Sequence, residues 1–319
     1  MTTTPIETEE RAAAVTDEGW RALLDRLNDQ SVHKHFDAYA DIEWDSPEFR
    51  LDPEDPRWEV PEDEPLAQTS WYRSLPAPAR ARLGCDLTAS KMKTGLQFES
   101  ILKRGLLEFA DALPNGAPEF RYAYHEVIEE AQHALMFQEF VNRSGLDAAG
   151  LGPVERFGAR IVIRFARRFP PLFFVFVLGG EDPIDHVQRR SLRRGDALHP
   201  LLARIMRIHV TEEARHLSFA RHYLKRTVPD LGPSGRAVLA VGAPVILGVM
   251  SQLMLQPSAQ IIGRHRIPKT VIEEAYRNNS DHRRRTAESL QKVTSLCREL
   301  GLLRRPYHLL WRMLGLTVS

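Results

Sequence analysis

Residues 209–216 read His209-Val210-Thr211-Glu212-Glu213-Ala214-Arg215-His216, and residues 129–133 read Glu129-Glu130-Ala131-Gln132-His133. Both contain Glu-x-x-His within a stretch of helical character. Residues three apart share one face of an α-helix, so a carboxylate and an imidazole at that offset can converge on one ion. One such motif means little, because Glu and His are common. Two in one chain, each preceded by a helix with its own carboxylate, mean more. Those carboxylates are Glu99, in Leu96-Gln97-Phe98-Glu99-Ser100-Ile101-Leu102, and Glu181, directly after Gly179-Gly180. Glu130 lies 31 residues beyond Glu99, and Glu213 lies 32 beyond Glu181. Two similar helical hairpins would give this repeat. A four-helix bundle holding two metal ions needs this set: one Glu from each of two helices and Glu-x-x-His from each of the other two.

Charge agrees with that reading. Glu99, Glu130, Glu181 and Glu213 together neutralise two ferrous ions, whereas an uncompensated buried set would be costly. Mixed carboxylate and imidazole donors suit iron or manganese; zinc favours a smaller tetrahedral site. His209 falls four residues before Glu213 and seven before His216, on the same helical face. Spacing alone leaves it open between a third histidine ligand and a core histidine. Glu129 and Glu212 adjoin the chosen glutamates and are alternatives to them. The repeated three-residue offset to histidine favours Glu130 and Glu213.

Working outward, the pattern predicts an all-α fold: a four-helix core with additional helices, preceded by an extended arm. Helices are predicted from Asp86, read as a cap, to near Pro114-Asn115-Gly116, and from Pro118 to Asn142 with Ser144-Gly145 as the stop. A third covers Val154 to Leu178, kinked or broken at Pro170-Pro171 and ending at Gly179-Gly180. A fourth covers Pro200 to Thr227. The apolar stretch from Ala237 to Leu255 is long enough to span a bilayer, yet carries Pro244 and has no companion of its quality. It reads as a buried helix of a soluble bundle, with a membrane contact as the alternative. Polar helices follow from Lys269. Residues 1 to about 20 read as a loose polar start, and Asp41 to Pro65 as an extended surface arm pinned by Trp44, Phe49 and Trp58. The domain division is therefore 1–70, a polar and acidic arm, and 71–319, the metal-binding bundle.

Bulk properties exclude several classes. Across 319 residues, 43 Lys and Arg meet 42 Asp and Glu, which argues against nucleic acid as a partner. Two cysteines, Cys85 and Cys297, make neither a disulfide framework nor a thiolate site, and fit a reducing cytoplasm. Apolar residues, at 43%, suffice for a sizeable core. No Gly-rich phosphate fingerprint is present, so a flavin or nicotinamide is expected on a separate reductase. Phe98, Phe137, Phe173, Phe174 and Phe176 are candidate walls of a substrate pocket, with ordinary core packing as the alternative. Arg160, Arg164 and Arg264 are available to an acidic substrate, with a solvated surface position as the alternative, and none of them is chosen. Arg283-Arg284-Arg285 reads as a solvated helix face.

Taken together, Glu99, Glu130-x-x-His133, Glu181 and His209-x-x-x-Glu213-x-x-His216 resemble the non-heme di-iron N-oxygenases of the p-aminobenzoate N-oxygenase type, to which the arylamine oxygenase of chloramphenicol biosynthesis is similar. The resemblance covers roughly residues 70 to 300. Its specific part is a third histidine, matched here by His209. The resemblance implies a ferritin-like bundle with two iron ions and a soluble homodimer. It implies oxidation of an aromatic amine through hydroxylamine and nitroso stages to a nitro group, as in secondary metabolism and antibiotic biosynthesis. Dioxygen would be the co-substrate, bound to reduced iron as a bridging peroxide, and a reductase or ferredoxin would supply electrons. Hydroxylation of carbon and ferritin-like iron storage are the alternatives, with an incidental helical bundle as the remaining one.

Overall fold

The computed structural model describes residues 15–314 and Leu316, and among them every regular element is helical. Four long helices make the core: α3 (Ala77–Asp111), α4 (Glu119–Ser144), α6 (Pro170–Leu192) and α7 (Pro200–Thr227). They pack as two hairpins, α3 along α4 and α6 along α7, and α5 (Pro153–Arg168) makes the crossing between hairpins. This is the ferritin-like arrangement that the doubled motif predicts. Local chemistry sets the boundaries. Gly145 adopts φ 63 at the end of α4, a left-handed cap that favours glycine. Pro170 and Pro171 end α5 and open α6, because a proline without an N–H suits a first helical turn and is disfavoured in a helix interior.

Gly179-Gly180 is not a stop. Both glycines lie inside α6, and Glu181 follows them on the same helix. A Cβ on Gly180 would sit 2.0 Å from the Phe98 ring of α3, and one on Gly179 would sit 2.9 Å from Leu247. The pair permits close approach of neighbours on two sides. Asp86 is likewise not a cap. It lies well inside α3, buried, and its carboxylate accepts bonds from Arg264 at 2.7 Å and His265 at 2.9 Å.

The N-terminal part is more structured than its composition announces. Residues 1–14 lie outside the described residues, but the loose start expected to about residue 20 is overturned from Asp17 onward. There α1 (Asp17–His33) begins, capped by the Thr16 hydroxyl, which accepts from the Gly19 amide. Trp20, Leu23, Leu24 and Leu27 are buried in the main core, and the Trp20 indole donates to Glu119 at 2.7 Å. The proline-rich stretch contains only short 3-10 turns, at Pro47–Phe49 and Pro56–Trp58. Trp44 and Trp58 are buried and Phe49 is half-buried, so this segment is seated by its aromatics. A short α2 (Ser70–Ser74) leads into α3.

The apolar helix α8 (Pro233–Leu255) packs against α6, with Gly242 near Leu172 and Leu247 near Gly179. Among the described residues it is the one helix long and apolar enough to cross a membrane, and 44% of its apolar window is buried. Full burial was expected; instead Val238, Val241, Val245 and Val249 remain exposed along one face. Cys85 and Cys297 are free thiols, as the sequence suggests, and both are buried.

Candidate metal centre

The two hairpins place all seven expected side chains at one level of the bundle. Glu99 comes from α3, Glu130 and His133 from α4, Glu181 from α6, and His209, Glu213 and His216 from α7; each is at most 1% exposed. The Nδ1 of His133 is 3.2 Å from Glu130 and 3.4 Å from Glu213. The Nδ1 of His216 is 3.2 Å from Glu130 and 3.1 Å from Glu213. Glu130 and Glu213 therefore lie between the two imidazoles, where carboxylates shared by two ions would lie. His209 Nε2 is 3.5 Å from Glu99 and 3.8 Å from Glu213. Ligand-type atoms of Glu99, His133 and His209 fall within 4.8 Å of one another, as do those of Glu181, His209 and Glu213. The histidine whose role spacing left open thus stands inside the cluster.

Glu129 and Glu212 have a different position from their neighbours. Glu129 meets the far ring nitrogen of His216 at 2.8 Å, and Glu212 meets that of His133 at 2.9 Å. Each helix's outer glutamate thus grips the other helix's histidine. This fixes the ring orientation and leaves Nδ1 as the inward-facing donor. Arg215 approaches Glu129 at 2.8 Å and Glu212 at 3.6 Å, joining the two grips. The Phe36 amide donates to Glu212, and the Ala38 amide donates to Gln132 between the two motif residues of α4. The segment before the proline-rich arm therefore covers the outer side of the cluster.

The electrostatics are those of a cation site. Burial raises Glu99 and Glu181 far above the usual carboxylate range, and the neighbouring glutamates raise them further. Burial would also raise Glu130, but bonds from Glu99, His133 and His216 hold it well below. Burial would depress His133, yet Glu130 and Glu212 lift it to about 10. His209 is pushed down by burial and by His133. Glu129 resists its burial through His216 and Arg215, at about 2. Both oxygens of Glu181 and one each of Glu99, Glu130 and Glu213 are buried without a hydrogen-bond partner. Carboxylates are acceptors only, and leaving them unmet in the core is costly unless cations answer them. The donor set fits two hard or borderline divalent ions.

The family model described as p-aminobenzoate N-oxygenase AurF matches residues 17–301. The chain belongs to this family. Family membership implies an oxygenase with a di-iron centre, in agreement with the donor set. Curated relatives in Mycobacterium tuberculosis (uncharacterized proteins MT0908 and Rv0885) and Mycobacterium bovis (uncharacterized protein Mb0909) are each 38% identical over 291 residues, covering 91% of this chain and 86% of theirs. No solved structure matches.

A cavity of about 260 Å³ reaches this oxygenase-family centre at Glu99 and His209. Of the aromatic walls considered, Phe98 and Phe137 line it, whereas Phe173, Phe174 and Phe176 do not and are buried in the core. Arg160 and Arg164 are exposed on α5, and Arg264 is occupied by Asp86. The reading of Arg283-Arg284-Arg285 as solvated holds for the first two only: Arg285 is half-buried, lines the cavity and lies 3.4 Å from Asp63. Two members of the neighbourhood escaped sequence reasoning. Arg215 sits inside the motif without a ligand spacing to mark it. Glu126 did carry a signal, because it precedes Glu130 by the offset at which His209 precedes Glu213.

Proposed function

We propose that this chain is a di-iron aryl-amine N-oxygenase that takes an amine toward hydroxylamine, nitroso and nitro products with dioxygen and electrons from a separate reductase or ferredoxin. Glu99, Glu130, His133, Glu181, His209, Glu213 and His216 would hold the metal. When bound, two ferrous ions would supply electrons to dioxygen, whose oxygen would pass to nitrogen, and the separate reductase would restore those electrons. The observation that carries this reading is the cavity. A site for iron storage has no need of a largely apolar cavity reaching its donor residues, and an organic substrate does. Phe98, Phe137, Leu202 and Met206 form an apolar wall near Glu99 and His209. They would exclude water and hold an aromatic ring with its amino group directed at the centre.

The test is to load the protein with ferrous iron without air, then admit oxygen with and without simple aryl amines. About two irons per chain are expected, with oxidised-nitrogen products in the amine reactions. Two irons with ring- or alkyl-hydroxylated products would assign the centre to carbon oxidation. Iron uptake followed by mineral formation, with amines untouched, would assign it to storage.

A further inference from the structure

Glu126 is a buried acid that the seven-residue set leaves without a task. It lies on α4 four residues before Glu130, as His209 lies on α7 four residues before Glu213. Residues four apart share a helical face. The two matching helices therefore carry the same inward position twice, occupied by His209 in one and by Glu126 in the other. Glu126 is 1% exposed, and neither of its oxygens has a hydrogen-bond partner. Ligand-type atoms of Glu126, Glu130 and His216 lie within 4.8 Å of one another. Tyr122, one turn earlier, also keeps its buried hydroxyl unbonded, so it does not satisfy the acid. Core carboxyls normally meet a donor. An acid that is wholly buried, unbonded and beside two candidate ligands is placed for a cation.

We propose that Glu126 is a further carboxylate ligand of the dinuclear centre, on the ion next to His216. This rests on the di-iron reading and extends it. With Glu126 ionised, five carboxylates surround the centre, giving −1 with two ferrous ions and +1 with two ferric ions. Without it those values are 0 and +2. The additional charge favours the oxidised centre. It also makes the two ions unequal, one gaining a neutral imidazole from His209 and the other an anionic oxygen from Glu126. The hard oxygen donor directs the ferric preference to the ion beside His216.

The experiment is anaerobic equilibrium dialysis of ferrous iron against wild type, Glu126→Gln and, as a control, Glu129→Gln, with Mössbauer spectra of the iron-57 proteins. Glu126→Gln keeps the side-chain volume and removes an unbonded buried acid, so apo stability should hold by circular dichroism. One of the two ions is expected to lose more than about 100-fold in affinity, beyond the 10–100-fold typical of an outer-sphere partner such as Glu129. Only one Mössbauer subspectrum should change. Equal binding of both ions by wild type and Glu126→Gln would overturn the inference and leave the di-iron reading intact. Failure of wild type itself to bind iron would overturn both. If Glu126→Gln does not fold, a crystal structure of iron-loaded wild type decides. A Glu126 oxygen about 2 Å from an iron supports ligation, and a carboxyl turned away from both ions overturns it.

Discussion

Neighbouring glutamates in this chain face different nitrogens of the same histidines, and orientation on the helix makes the difference. Glu130 and Glu213 face the inward Nδ1 atoms, while Glu129 and Glu212 reach the far nitrogens of the partner helix's histidines. One residue of helix rotation, about 100°, separates donor from grip. The two classes should therefore respond differently. Glu130→Ala and Glu213→Ala are expected to abolish dinuclear iron binding, read as metal per chain after anaerobic loading. Glu129→Gln and Glu212→Gln should retain two ions with affinity lowered about 10–100-fold. Two irons retained at full affinity in both alanine variants would refute the assignment.

At the scale of elements, the level of the site depends on how closely α3 and α6 approach. Gly180 lies against Phe98, next in sequence to Glu99, and is itself followed by Glu181. The glycine contact thus holds two carboxylates of different hairpins opposite each other. Gly180→Ala inserts a methyl where the Phe98 ring stands at 2.0 Å. It should destabilise the fold by about 1–3 kcal/mol through overpacking and weaken iron binding. Adding Phe98→Leu should restore part of both, as read by thermal melts and iron titration. A single variant as stable and as tight-binding as wild type would show that the contact does not set the spacing. The element missed from the sequence was α1. Trp20, Leu23, Leu24 and Leu27 follow the spacing of an amphipathic helix. The Thr- and Glu-rich residues before them drew the whole segment into the reading of a polar arm.

For the molecule as a whole, buried charge pairs tie distant parts of the chain to the bundle. Asp86 inside α3 is held by Arg264 and His265, from the segment that follows α8. Burial works against its ionisation, but the bonds from His265 and Arg264 keep Asp86 below its ordinary 3.8. A depressed acid contributes stability that is complete above the unfolded value and is lost as pH falls through the folded one. Wild type should exceed Asp86→Asn by about 1–3 kcal/mol at neutral pH, and the two curves should converge in acid below 3.8. A gap independent of pH, in urea melts from neutral to acid, would disprove the linkage. The sequence by itself determined the helical class, the two hairpins and the seven candidate donors, because a helix repeats its face every three to four residues and writes ligand spacing directly into the chain. Ambiguities within that pattern needed the tertiary structure. It alone decided that Gly179-Gly180 is a packing contact, that Asp86 is an ion-pair partner, that Glu129 and Glu212 meet the outer ring nitrogens of His216 and His133, and that a cavity opens at Glu99 and His209. Each of these depends on which residues from remote parts of the chain face one another, and local periodicity carries no record of that.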